Sequence, residues 1–327
     1  MQSGHDRRMQ RGNVGPTPPR HATPKLMPIR YDITHTTVYR YREPVSFGEH
    51  RVMFRPRDSH DLRVLATDLD VNPEAQVRMI QDPHSNSVAL VQPLGTADTL
   101  KIVCSFTIEH APRDHLQLPL VPSAEHFPFA YSVEDRFDLE QYLRPHHDDP
   151  KGVLTAWARQ FIRTDGPTGT RELLMQMNQH IRGTLAYVSR DEEGTQTPLQ
   201  TLALQSGSCR DFALLMMEAA RRLGVATRFV SGYLYDPSLD DEHGGATDEA
   251  VTGAGVTHAW LQAYLPGAGW VPFDPTNNLH GDNQLIRVGV ARDPAHAAPI
   301  SGSWFGPAGA YLGMTAEVRV RRRTGFG

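Results

Sequence analysis

Two hydrophobic periods divide this sequence. Tyr31, Ile33, His35, Thr37, Tyr39 and Tyr41 share one parity, as do Leu100, Ile102, Cys104, Phe106 and Ile108. An apolar face repeating every second residue belongs to a half-buried strand. Beyond Cys209 the period changes: Phe212, Ala213, Leu215, Met216, Ala219, Ala220 and Leu223 recur at steps of three and four, then Gly224 intervenes. That is the signature of an amphipathic helix over 209–223 with a glycine stop. Between the two regimes, prolines at 112, 119, 122, 128, 145 and 150 exclude long regular elements. The chain therefore reads as a β-rich unit, a connector and an α+β unit.

Strand-like runs at 31–41, 45–54, 63–71, 77–81, 87–91 and 99–110, separated by turns such as Asp82-Pro83-His84-Ser85-Asn86, predict an antiparallel β-sandwich. The expected boundaries are a tail at 1–25 rich in Arg, Pro and Thr, the sandwich at 26–111, the connector at 112–150 and a second unit at 151–327. In that unit 153–163, 171–182 and 199–205 read as helices, and 225–235, 257–265 and 270–273 as strands. Ala316, Val318 and Val320 add one more strand pattern, taken as part of the same unit. Helices first and strands after is an α+β layout.

A net charge of −4 over 327 residues leaves no basic footprint for nucleic acid. No apolar run is long enough to cross a membrane, and the N-terminus lacks the apolar segment of a secretory signal. Two cysteines in separate regimes predict no disulfide framework, so the cytoplasm is the expected compartment.

The two cysteines differ in kind. Cys104 sits on the apolar face of a strand and reads as packing. Cys209 opens a helix, where unpaired N–H groups and the macrodipole favour a thiolate. Ser208 is the expected N-cap and Asp211, three residues on, completes a capping box. A cysteine nucleophile needs a base, usually histidine, held by a carboxylate or amide. Among 16 histidines position decides, and His258 begins a strand whose hairpin partner ends at Asp274. A turn on Pro266-Gly267 sets His258 opposite Pro275; one extra residue, for which Gly267 or Gly269 is suited, brings His258 and Asp274 to one face. Taken singly, His258 reads as a polar strand end and Asp274 as a turn residue before proline; the three together are far more specific.

These motifs, Gly-Ser-Cys-Arg-Asp-Phe-Ala, Arg-Phe-Val-Ser-Gly-Tyr-Leu, Thr-His-Ala-Trp and Gly-Trp-Val-Pro-Phe-Asp-Pro-Thr-Asn, resemble the bacterial transglutaminase-like superfamily. The resemblance covers about residues 150–327, and the strands of 31–110 are similar to the β-rich N-terminal region common in that family. It implies a papain-like core, with Cys209, His258 and Asp274 as the catalytic residues. Leu214 departs from the second histidine found in many members. The expected chemistry is acyl transfer from an amide through a thioester, by a cysteine protease, amidase or transglutaminase. The backbone N–H of Cys209 is an expected oxyanion donor, with Gln205, Ser208 and Trp260 as further residues of the oxyanion and substrate pocket. No cofactor and no metal is expected: His146-His147-Asp148-Asp149 has no second ligand cluster. The expected partner is a peptide or protein substrate, with a cationic amine as acceptor suggested by a segment free of Lys and Arg between 228 and 287 that carries six acidic residues at 236–255. The plainer reading of that segment is a solvated loop. Two other functions compete, a small-amine acyltransferase like the arylamine acetyltransferases and a non-catalytic binding scaffold.

Overall fold

The structure, a computed structural model, describes residues 28–111, 117–190, 194–239, 252, 255–281 and 284–323. The expected tail at 1–25 lies outside the described residues. The first third forms β1 (Ile29–Phe47), β2 (His50–Val52), β3 (Leu62–Asn72), β4 (Ala75–Gln81), β5 (Ser87–Pro93) and β6 (Thr96–His110). β1, β6 and β3 pair antiparallel in one sheet, while β2, β5 and β4 pair in a second. The side chains that alternate inward from both, including Tyr41, Val52, Val91, Leu100, Ile102 and Cys104, form one apolar layer. This is the sandwich that the two-residue period predicts.

The connector contains only short elements: β7 (His126–Phe127), α1 (Val133–Asp138) and α2 (Glu140–Leu143). It docks on the second unit through Leu139 and Tyr142, packed against Ala226 and Trp270. Then follow α3 (Val153–Arg159), β8 (Thr168–Gly169), α4 (Thr170–Thr184), β9 (Ala186–Tyr187), α5 (Pro198–Leu204), β10 (Ser206–Gly207) and α6 (Cys209–Arg222). The remaining strands are β11 (Thr227–Leu234), β12 (His258–Leu265), β13 (Gly269–Asp274), β14 (Leu279–His280), β15 (Leu285–Ala291), β16 (Ile300–Ser301), β17 (Trp304–Phe305) and β18 (Tyr311–Arg323). Five of them form a sheet in the order β14-β13-β12-β11-β15, antiparallel throughout. The fold is α+β, as the element order predicts.

Helix α6 is the axis of the second unit. Phe212, Leu215, Met216, Ala219 and Ala220 share one apolar cluster with Leu173, Leu174 and Met177 of α4 and Leu261, Ala263 and Phe273 of the sheet. Each such Leu, Met or Phe contributes about 1.5–3 kcal/mol on burial. The helix also buries a charge pair: Glu218 accepts from Arg221 Nη1 at 2.8 Å and from the backbone N–H groups of His146 and His147. Those bonds offset the desolvation of the carboxylate and clamp the connector to the helix. The His146-His147 run thus serves packing.

One expectation is corrected by the end of the chain. Residues 300–323 do not continue the second unit: β16 pairs with β2, β17 with the end of β1, and β18 runs antiparallel along β1 from Arg30 opposite Arg323 to Tyr41 opposite Tyr311. The edge of β1 left free by β6 offers unpaired backbone groups, and β18 satisfies them. A period-two pattern identifies a strand but carries nothing about which edge it joins. Among the described residues no helix is long and apolar enough to cross a membrane.

Candidate active site

The N-terminus of α6 is held by a buried carboxylate. Ser208 donates both its backbone N–H and its hydroxyl to Asp211 Oδ2, at 2.8 and 2.9 Å, so the expected capping pair is present. Asp211 is wholly buried and also accepts from Arg190 Nη1 on both oxygens at 2.9 Å and from the Gln196 N–H at 2.7 Å. The ion pair balances its charge, and the bonds pin residues 190 and 196 against the helix start. Gly207 permits this approach. A Cβ there would stand 2.8 Å from Asp211 Cβ and 3.2 Å from the Phe212 ring. Cys209 follows as the first helical residue, its sulfur side nearly buried.

The base and its carboxylate come from the hairpin. Leu265 lies opposite Gly269 and Leu261 opposite Phe273, so the turn holds three residues, Pro266, Gly267 and Ala268. That is one more than a turn on Pro266-Gly267 alone, and it moves the register by one, as the alternative with an extra residue anticipates. Gly267 and Gly269 both have positive φ, 95° and 73°, which a side chain would strain. His258 and Asp274 consequently share a face, and His258 Nε2 meets Asp274 Oδ2 at 2.8 Å with both side chains wholly buried. Asp274 further accepts from Asn277 Nδ2 and from the Thr276 N–H, each at 2.9 Å. Asn277 was missed as a site residue, although it closes the Asp-Pro-Thr-Asn run.

Burial alone would lower the pKa of His258, but the Asp274 charge and hydrogen bond, joined by contact with the Cys209 thiol, raise it to about 10. Burial works in the opposite sense on Asp274, and the His258 charge together with the three donors outweighs it and holds the carboxylate below its usual range. The pair is ionised at neutral pH. With Nε2 committed to Asp274, Nδ1 is the ring nitrogen left for the sulfur, and it has no hydrogen-bond partner among the described residues. Cys209, His258 and Asp274 are therefore brought together from a helix start, a strand start and a strand end.

The remaining expected pocket residues lie elsewhere. Gln205 ends α5 with a left-handed φ of 51°; its side chain is exposed and its amide turns back to Leu202 O at 2.6 Å. Both donors of Ser208 are spent on Asp211, which makes it a cap rather than a pocket residue. Trp260 stacks on His258 with ring centroids 6.0 Å apart, but it is buried among Val230, Leu234, Leu285 and Val290 and presents no surface to a substrate. It is the floor beneath the imidazole. Trp270 packs in the connector interface, with the Arg228 guanidinium 4.2 Å above its ring. Of the acidic segment, Asp236 is described and nearly buried, while Asp240, Asp241, Glu242, Asp248 and Glu249 lie outside the described residues. The other thiol is different in every respect: Cys104 stands opposite His35 inside the sandwich, and burial pushes it up to about 12.

Known proteins share this architecture. Residues 31–109 match the family described as the bacterial transglutaminase-like N-terminal region, and residues 155–275 match the transglutaminase-like superfamily. An uncharacterized protein of Mycobacterium leprae is 26% identical over 294 residues, covering 88% of this chain and 98% of its own. An uncharacterized protein of Mycobacterium tuberculosis is 26% identical over 284 residues, covering 84% of this chain and 87% of its own. The crystal structure of a candidate cysteine protease from Cytophaga hutchinsonii superposes with a TM-score of 0.65 at 20% identity, covering 92% of this chain and 93% of its own. That likeness extends to the fold.

Proposed function

The chain belongs to the transglutaminase-like superfamily, and on that premise we propose that it performs cysteine-dependent acyl transfer on a peptide bond or carboxamide. The observation that carries the reading is the buried His258–Asp274 ion pair whose second ring nitrogen is left without a hydrogen-bond partner among the described residues, with a thiol at a helix N-terminus near enough to act on the charge of the ring. An imidazolium beside sulfur leaves the thiolate as the attacking group. The sulfur forms a bond to the carbonyl carbon, and the oxygen takes the displaced electron pair. His258 Nδ1 then gives its proton to the leaving nitrogen, the C–N bond breaks, and ammonia or an amine departs from a thioester on Cys209. The now neutral imidazole accepts a proton from water or from an acceptor amine as that group attacks the thioester. Water completes a protease or amidase cycle and an amine completes transglutamination. Asp274 holds the ring orientation and the charge of the imidazolium, and Trp260 fixes the ring plane from below.

A peptide or protein is the proposed substrate, and two unpaired thiols favour a reducing compartment such as the cytoplasm. The test uses the chain's own control. Iodoacetamide should alkylate Cys209 at neutral pH far faster than the buried Cys104, and His258→Ala should abolish the difference; equal sluggishness of the two thiols would leave only the scaffold reading. Mass spectrometry of Cys209 after incubation with peptide carboxamides, with and without a primary amine, would then identify the acyl group and the acceptor.

A further inference from the structure

Acyl transfer requires two donors where the carbonyl oxygen becomes an anion, and the helix start supplies one, the Cys209 N–H. The expected second donors are spent or sealed. Ser208 gives its N–H and hydroxyl to Asp211, and Gln205 gives its amide to Leu202 O. The Trp260 indole N–H has no partner among the described residues, yet it lies within a closed apolar cluster beneath the imidazole.

Among the described residues, a further polar side chain comes to this helix start. β9 and β10 pair in parallel with Tyr187 opposite Gly207, two residues before the nucleophile. Val188 N–H donates to Gly207 O at 2.9 Å and Ala186 N–H to Gln205 O at 2.9 Å, so this strand is fastened to the segment that delivers Cys209. The Tyr187 ring meets the Phe212 ring edge-on, with centroids 6.4 Å apart. Phe212 is one helical turn beyond Cys209 and fully buried, whereas Tyr187 keeps 36% of its surface open. The tyrosine thus leans on the catalytic turn from the solvent side. Its hydroxyl has no hydrogen-bond partner among the described residues.

We propose that the Tyr187 hydroxyl is the second oxyanion donor, reaching the carbonyl oxygen of a bound carboxamide from the side opposite the Cys209 N–H. The inference rests on the acyl-transfer reading of Cys209. Burial first, then the charge of Cys209 and, further off, that of Asp274, raise the phenol to about 12 against the lowering effect of Arg210. The hydroxyl therefore stays protonated, hence a donor, at working pH. Gly207, opposite it, is required by the close approach of Asp211 and Phe212.

Two reagents separate this role from any effect on the thiol. p-Nitrophenyl acetate acylates a cysteine through a tetrahedral oxyanion; iodoacetamide alkylates it by displacement at carbon, with no oxyanion. Tyr187→Phe keeps the ring against Phe212 and removes only the hydroxyl. The expected result is a tenfold to hundredfold loss in the rate of Cys209 acylation by p-nitrophenyl acetate, with alkylation within twofold of the parent and an unchanged Tm. Removal of a single oxyanion donor costs about 10²–10³ in well-studied cases, and partial exposure of this phenol places its effect at or below the lower end of that range. Unchanged acylation in Tyr187→Phe overturns the proposal while the acyl-transfer reading stands. An equal fall in both reactions also overturns it, since Tyr187 would then act on the thiol itself. Should Cys209 of the parent protein react with neither reagent faster than Cys104, the acyl-transfer reading fails and takes this assignment with it.

Discussion

Asp274→Asn tests the site at the point where its electrostatics are concentrated. The substitution conserves shape and removes one charge from a position with no solvent exposure. In the parent, Oδ2 faces two donors, His258 Nε2–H and Asn277 Nδ2–H, and Oδ1 faces a third, the Thr276 N–H. An amide cannot accept on both sides. Whichever way it rotates, its NH₂ group confronts at least one buried donor, a mismatch costing about 1–3 kcal/mol. An imidazolium left unpaired in that site would cost more, about 3–5 kcal/mol, so the ring sheds its proton instead. The Asp274 charge and hydrogen bond are the larger of the influences that, with Cys209, lift His258 to about 10 against burial; without them burial has much less to oppose it, and the pKa of the group falls. With the amide NH₂ turned into the place of Oδ2, Nε2 of the neutral ring must become the acceptor, and the ring proton moves to Nδ1. Nδ1 is the nitrogen that must take a proton from sulfur. The variant therefore holds a base in the wrong tautomer as well as the wrong charge state.

The expected outcome is a loss of about 1–3 kcal/mol of stability near neutral pH from the amide mismatch, the larger cost of an unpaired imidazolium being avoided by loss of its proton. Alkylation of Cys209 at pH 7 should fall at least tenfold, and its rate should rise only on the alkaline side, near the value of about 8.5 for an unassisted thiol. Guanidinium unfolding reads the first quantity and the pH dependence of iodoacetamide alkylation the second. Alkylation by Asp274→Asn at the parent rate with the parent pH profile would refute the reasoning, because the carboxylate would then control neither the charge nor the tautomer of His258.

Replacing Asp211 by Ala strips the N–H groups of Ser208 and Gln196 of their acceptor and leaves the Arg190 guanidinium without its carboxylate, so a loss of about 3–5 kcal/mol is expected on chemical unfolding, with Cys209 alkylation slowed as the helix start loosens. Stability found within 0.5 kcal/mol of the parent would dismiss that clamp. Gly232→Ala would place a Cβ 2.1 Å from Ile286 O and 2.8 Å from the Trp260 ring; because the first neighbour is backbone, the strand must shift, and soluble yield and Tm should both drop. An unchanged Tm would contradict the register that sets Gly232 opposite His258. The His258 contribution has a definite pH signature. Its folded pKa lies above the unfolded 6.5, so its stabilisation is complete below pH 6.5 and disappears as pH rises through about 10, whereas that of Asp274 is complete above about 4 and disappears on acidification. The parent should lose stability between pH 7 and 10 more steeply than His258→Gln; parallel curves would argue against an ionised pair.

What was legible in the chain follows the range of the physics behind each signal. Alternation in 31–41 and 100–108 and the three-four spacing after Cys209 report burial of one face, a local property, and both elements form where the pattern puts them. Ser208 and Asp211 are legible as a cap because capping acts over three residues. The union of Cys209, His258 and Asp274 is nonlocal, and it became readable only because a hairpin converts sequence distance into register; even there a single turn residue decided whether the imidazole and carboxylate shared a face. The signals that failed are those with no local trace. Nothing within Arg190 announces a bond to Asp211 twenty-one residues on. Nothing within 311–323 states that this strand closes the edge of β1 rather than extending the sheet that carries His258 and Asp274. Gln205 and Trp260 were chosen by proximity in sequence and by shared strand face, yet a left-handed residue turned one amide outward and the apolar demand of the sheet drew the indole below the imidazole. Tyr187 leaves no local trace either: its place opposite Gly207, two residues before Cys209, depends on a two-residue parallel ladder too short to show a period.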